Sequence, residues 1–385
     1  MKVVFVYPAF ESLGIEYLSA VLKEAGHRTS LVLDPMLFDD TFIKIPALAK
    51  RFSFKDEVVN GVLKENPDLV ALSVMTDLLP WCGDIARRLK DRAPDLMIVA
   101  GGIHVTMNPQ GIMNLPVDFA IAGEGERAFT RFVDSVASGA ADTSIKGLVY
   151  RKNGSVVFNG YPETEKELDS LPPPDKGLYY GTSIDFSETF TALASRGCPF
   201  SCTYCYSSRM HGIYRTNEIV RRHGVDRVIG ELRRAKEIYS PKYVWFHDDV
   251  FGQSVAWLRG FAERYSMEIG IPFDVNINPS VVTDERIGLI KEAGCIHINM
   301  GVQTFDPAIR KNVLNRHESD SRVEEAVRII QRHSIEVSID NIVGLPGETK
   351  ETYEKMIRFF NRHRTVPYDV YWLRYYPGTP IVDAA

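Results

Sequence analysis

The stretch SRGCPFSCTYCYS, residues 195–207, sets three of the chain's five cysteines within eight residues, at Cys198, Cys202 and Cys205. Structural zinc usually takes four protein ligands in two spaced pairs, and no second Cys or His pair of that kind follows downstream. Three thiols on one tight loop suit instead a cuboidal iron-sulfur cluster held at three irons with the fourth left open. A zinc knuckle or a set of buried thiols is the competing reading. Gly197 and Pro199 would shape the loop, one by its conformational freedom and the other by its fixed φ.

The surroundings of this loop read as β/α alternation. Candidate strands lie at 190–194, 243–247, 273–277, 297–302, 337–343 and 369–375, separated by helical stretches at 219–238, 283–293, 320–333 and 349–363. Six such units can curl into a partial (β/α)6 barrel, whose working residues sit at the C-terminal strand ends. The cysteine loop follows the first of the six strands.

Upstream, the same alternation builds a separate unit. VVFVY (3–7) precedes a helical period through Ile15, Leu18, Val21 and Leu22; LVALSV (69–74) precedes a helix at about 80–92; LMIVAGG (96–102) and VDFAIAGEGE (117–126) follow, the last before a helix at about 127–138. This order predicts an α/β, doubly wound, Rossmann-like domain over 1–145. Residues 146–185 read as a hairpin around Asn153 and Gly154 followed by a charged, proline-rich linker, and 186–385 as the barrel core. RYYPGTPIVDAA at the end reads as the last strand and turn of that core, and leaves open whether a further C-terminal region has been removed.

With 385 residues, 45% apolar and 25% charged, the chain has room for two to three domains. A net charge of −5 gives no general basic field that would recommend nucleic acid as a partner. No apolar run is long enough for a membrane span, and so few cysteines in so long a chain suit a reducing cytoplasm.

The cysteine loop, with Tyr204 just before its third thiol, resembles the cluster motif of the radical S-adenosylmethionine superfamily. The resemblance implies a 4Fe-4S cluster whose open iron chelates S-adenosylmethionine, cleavage to a 5′-deoxyadenosyl radical, and an external electron donor of flavodoxin or ferredoxin type. GVQTFDPAIRKNVLNR and SIDNIVGLPGE are similar to stretches of oxygen-independent coproporphyrinogen oxidase, which implies S-adenosylmethionine contacts from Gln303, Arg316 and Asp340. The spacing from Gln303 to Arg316 is one residue longer here, and Asn276 stands where that family has Glu. In WFHDDVF, Asp248 reads either as a contact to the ammonium group or as an acidic helix cap.

The first half resembles the cobalamin-binding domain that precedes the radical core in one large subfamily. That resemblance implies a corrinoid site from Leu13, Gly14, Ser73, Thr76, Gly101, Gly102, His104, Gly123, Glu124, Gly125 and Glu126, with no histidine of the Asp-x-His-x-x-Gly kind beneath the cobalt. Trp81 either covers the lower face or packs in the core. Cys82 and Cys295 read as inert buried thiols. The activity implied is methyl transfer to a small-molecule substrate. The alternatives are a cyclase or rearrangement enzyme, as in the anaerobic cyclase of chlorophyll synthesis, and a non-catalytic corrinoid or iron-sulfur binder.

Overall fold

The computed structural model describes residues 1–39, 44–182, 186, 188–214 and 220–384. The chain divides into two compact units, Met1–Glu165 with Ser170–Asp185, and Lys166–Asp169 with Phe186–Ala385.

The first unit is built on strands β1 (Lys2–Pro8), β2 (Arg28–Asp34), β3 (Leu69–Ser73), β4 (Met97–Gly101), β5 (Phe119–Ile121), β6 (Leu148–Lys152) and β7 (Ser155–Phe158). They lie in the order β2-β1-β3-β4-β5-β6-β7. The first five are parallel; β6 and β7 are antiparallel. β1 is buried almost throughout, as a central parallel strand covered on both faces must be. The order β2-β1-β3 places the topological switch between β1 and β3, and in open α/β sheets that crevice at the strand C-termini is where ligands bind.

Three features depart from the sequence reading. RTSLVLD forms β2, half-buried at the sheet edge, where no strand was expected. The hairpin turns at Asn153 (φ 50°) and Gly154 (φ 80°), the left-handed pair of a type I′ turn, and it pairs onto β5, so the first sheet continues to Phe158. Gly125 and Glu126 open the helix Gly125–Ala137, which starts two residues before the expected point.

The second unit carries β8 (Thr189–Ala192), a short ribbon of β9 (Ser195–Arg196) and β10 (Arg221–Arg222), then β11 (Tyr243–Phe246), β12 (Phe273–Ile277), β13 (Cys295–Gln303), β14 (Glu336–Val343) and β15 (Tyr368–Trp372). β8 and β11–β15 make one parallel sheet in the order β15-β14-β13-β12-β11-β8. Burial alternates along β11, β12 and most of β13. Phe246, Phe273 and Val275 are buried beneath the helix Val255–Arg264, where Phe251, Phe261 and Tyr265 join them in a ring cluster. The alternate positions Trp245, Asp274, Asn276, His297, Asn299 and Asp340 line the other face, half-buried or exposed. A helix runs over Val225–Tyr239 behind Gly224; the expected helix start at 219 lies outside the described residues. Among those residues no helix is long and apolar enough to cross a membrane.

Candidate functional site

The cysteine loop leaves β8 at its C-terminal end and is anchored at both ends from elsewhere in the second unit. At its start, Asp248, 1% exposed, accepts the Ala194 N–H at 2.9 Å and the Ser195 hydroxyl. Both carboxylate oxygens are thus taken, which gives Asp248 a positioning role in place of the ammonium contact or helix cap expected from sequence. Further along, Thr203 donates its N–H to Leu314 O and its hydroxyl to Val313 O, while the Asn315 amide donates to Ser201 O at 3.1 Å.

Arg316 sits at the centre of this brace, 6% exposed. Its guanidinium donates to Gly301 O at 2.6 Å, to Glu318 Oε1 at 2.7 Å, to Tyr204 Oη at 3.4 Å and towards Cys202 Sγ at 3.8 Å. Burial alone would lower its pKa, but Tyr204, Cys202 and Glu318 outweigh that and leave it raised. Its Nε is buried with no hydrogen-bond partner.

The three thiols are free, and burial pushes Cys198 up to about 12 and raises Cys205. His211 Nε2 lies 2.8 Å from Cys198 O, and Tyr206, directly after the last cysteine, donates its hydroxyl to Asp249 at 2.9 Å. Among the described residues no three Cys, His, Asp or Glu side chains converge on one metal ion. The donor set itself, three thiols on one loop, fits a cuboidal cluster, whose cysteines each take a different iron. Thiols protonated in a buried loop would give up their protons on taking the metal.

Facing the loop's strand end is a polar rung across β12, β13 and β14. The Asn276 amide donates to Asp248 O at 3.3 Å, Asn299 donates to Asn276 Oδ1 at 3.4 Å and to Asp340 Oδ2 at 2.8 Å, and Ser338 donates to Asn299 Oδ1 at 3.1 Å. Asp340 Oδ1 is buried without a partner, and burial raises its pKa. Buried polar atoms are nearly always satisfied, so an orphan oxygen here and the orphan Nε of Arg316 mark places where a polar ligand fits. Gln303 ends β13 at a register shift with φ 73°, a left-handed backbone that a glutamine adopts at a cost. Its amide folds back over Gly301, where an added Cβ would lie 2.6 Å from Gln303 Nε2.

The structure therefore brings Cys202, Tyr204 and Arg316 together, and links Asp248, Asn276 and Asp340 through Asn299. Sequence reasoning missed Asn299, Asn315 and Glu318, and placed Asp249 beside Asp248 at the strand end without giving it a role. The strict alternation of β13, with its Asn299 between buried Ile298 and Met300, was the one available signal for the first.

In the first unit, the loops after β3, β4 and β5 converge. Thr76 Oγ1 lies 3.0 Å from His104 Nδ1, and Thr106 donates to Gly102 O and accepts the Gly123 N–H at 2.9 Å. Gly102 (φ 95°) tolerates no side chain, since a Cβ would come within 2.9 Å of both Val74 N and O, with Ser73 Oγ next. Gly101 O accepts from Val74 N. His104 is 4% exposed, and burial lowers its pKa, keeping the ring neutral. Glu124 accepts the Glu165 N–H, Glu126 is buried, and Gly125 lies under Leu18. Leu13 packs on Tyr17 and Val21, and Gly14 next to it is exposed. Trp81 stands apart: it is 5% exposed and its indole N–H is bonded to Asp34 at 2.7 Å, a packing role. Cys82 is fully buried, its thiol pushed up to about 12, and Cys295 is buried and raised, which makes both inert.

Asp248 gives a pH prediction. Burial pushes its carboxyl from 3.8 up to about 7, with Asp249 adding to the rise and the bonds from Ser195 and Ala194 opposing it. A raised carboxyl favours the protonated fold, so its contribution is complete below about pH 3.8 and is lost as pH rises through about 7. Between those values the unfolding midpoint of the native chain should fall relative to that of Asp248→Asn, which cannot ionise. Parallel profiles would refute the shift.

Residues 193–360 match the radical SAM superfamily, and residues 4–133 match the B12 binding domain. An uncharacterized methyltransferase of Pyrococcus horikoshii is 27% identical, the alignment covering 100% of this chain and 83% of that protein. The anaerobic magnesium-protoporphyrin IX monomethyl ester cyclase of Cereibacter sphaeroides is 26% identical over 93% of this chain, which spans 59% of the cyclase. Among solved structures, the radical S-adenosylmethionine methyltransferase TsrM from Kitasatospora setae, with cobalamin and a 4Fe-4S cluster bound, superposes with a TM-score of 0.77 at 16% identity. That superposition covers 98% of this chain and 76% of TsrM, and at such identity it speaks for the fold.

Proposed function

We propose that this chain, which belongs to the cobalamin-dependent radical S-adenosylmethionine enzymes, is a methyltransferase acting on a small-molecule substrate. The observation that carries the reading is the placement of three free thiols on one braced loop at the C-terminal edge of a parallel sheet, opposite a polar wall with orphaned buried atoms. When bound, the cluster and S-adenosylmethionine would supply a 5′-deoxyadenosyl radical, and cobalamin a transferable methyl group.

The chain's own residues would hold these parts in place. Cys198, Cys202 and Cys205 would ligate the cluster. Asp340 Oδ1 and Gln303 would receive the donors of S-adenosylmethionine, with Asn276 and Asn299 fixing the Asp340 carboxylate. Arg316, committed to Gly301, Glu318 and Tyr204, would fix the cysteine loop and offer Nε alone to a ligand. The convergent loops carrying Ser73, Thr76, Gly101, Gly102, His104 and Gly123 would take the corrinoid, with Leu13, Gly14 and the segment 124–126 at its border. An external donor in the reducing cytoplasm would supply the electron.

The likeness to the magnesium-protoporphyrin cyclase keeps ring closure as a second reading. Turnover with methyl-labelled S-adenosylmethionine separates the two: label carried into the product supports methyl transfer, and 5′-deoxyadenosine formed with an unlabelled product overturns it.

A further inference from the structure

The loop that leaves β1 at the switch point is tied within itself by the Phe10 N–H, which donates to Pro8 O at 2.8 Å, and by the edge-on contact of Phe10 with Tyr7. Ser12, at the N-cap of the helix Leu13–Glu24, makes no side-chain capping bond, and Phe10 is 40% exposed. A second hold on the loop comes from 165 residues beyond Glu11, from the proline-rich stretch that reads as a linker. There Lys176, 4% exposed, donates to Glu11 Oε1 at 2.7 Å and pairs with Glu16 Oε2 at 2.8 Å. Glu16 is fully buried and Glu11 nearly so.

The neighbours of Lys176 seat it. Asp175 donates its N–H to Glu16 O and accepts the Ser19 hydroxyl, with Lys23 paired to the same carboxylate at 2.6 Å. Leu171 packs on Tyr17 and Val21, with Leu13 against the same cluster. Across the crevice, Tyr7 at the end of β1 donates to Met75 Sδ in the loop after β3. Every one of these residues belongs to the first unit.

A buried cation between two carboxylates is a poor way to gain stability, because apolar side chains of similar volume would seat the segment as well or better. What charge adds over an apolar contact is direction, since the Lys176 nitrogen fixes where Glu11 Oε1 lies. We propose that Lys176 is a positioning residue for the corrinoid-binding edge of the first unit, fixing the Glu11–Gly14 turn through Glu11. This rests on the cobalamin reading above.

The test titrates hydroxocobalamin into the full chain carrying its reconstituted cluster, for the native protein, Lys176→Met and the charge-free triple K176M/E11Q/E16Q, with thermal unfolding of each. The triple removes the uncompensated buried charge, so it keeps the fold even where Lys176→Met alone does not. Positioning predicts that the triple unfolds near the native temperature yet binds hydroxocobalamin about 10-fold or more weakly, the scale of losing an outer support in other cofactor sites. The reduced-cluster spectrum should not change. A triple that binds like the native chain, or a Lys176→Met variant that loses stability but not affinity, overturns the inference while leaving the cobalamin reading intact. A native chain that binds no hydroxocobalamin overturns that reading, and the inference with it.

Discussion

Replacing Arg316 with methionine should cost the fold about 3–5 kcal/mol, the usual scale for breaking a buried ion pair by removing one partner. The cost follows from what the guanidinium leaves behind. Glu318 is 5% exposed and would lose its direct ion-pair partner, keeping only the more distant charge of Arg310, which bonds its backbone carbonyl, and the Gly301 carbonyl and Tyr204 hydroxyl would lose their donor in the same step. The double variant R316M/E318M, with no stranded charge, should recover most of the loss. Denaturant unfolding of the two variants and the native chain measures both numbers. Equal destabilisation by the single and double changes would mean that the pair is not the source of the cost. Because Asn315 and Arg316 together brace the segment 201–204, the single variant should also take up less iron on reconstitution.

Cys202→Ala should bring 5′-deoxyadenosine formation under strong reductant to the level of buffer alone. A cuboidal cluster held by three thiolates has no spare protein donor, and among the described residues no further Cys or His completes a metal set. Cys202 is 7% exposed, so the change removes one small buried sulfur and leaves the packing of the unit nearly as it was. Thermal unfolding and hydroxocobalamin binding by the first unit should therefore stay close to native, separating loss of the cluster from loss of the fold. Cleavage that continued undiminished in Cys198→Ala, Cys202→Ala or Cys205→Ala would end the radical reading altogether.

Local signals carried much of the architecture. The thiol spacing is a property of eight consecutive residues, and the β-branched runs that became the central strands are contiguous, so both could be read without knowing what packs against them. β2 escaped because an edge strand need not be apolar, and RTSLVLD is only half-buried. The assignment of Asp248 turned on partners 53 and 54 residues away, and the link from Arg316 to the cysteine loop on partners 112 and 114 residues away. No local pattern encodes such contacts. Lys176 was hidden by its setting, since LPPPDKG has the composition of a solvated connection and no period that would announce a buried charge. Trp81 was ambiguous for the opposite reason: a large aromatic after a strand suits a ligand wall and a core equally, and only its bond to Asp34 decides.

The backward fold of the Gln303 side chain over Gly301 couples the two positions. A Cβ at 301 would come within 2.6 Å of the 303 amide nitrogen, and because that nitrogen is the far end of a flexible side chain, the amide would swing aside and give up its place over the strand. A change at 301 is therefore felt first as a displaced amide at 303, so these two residues vary as a pair.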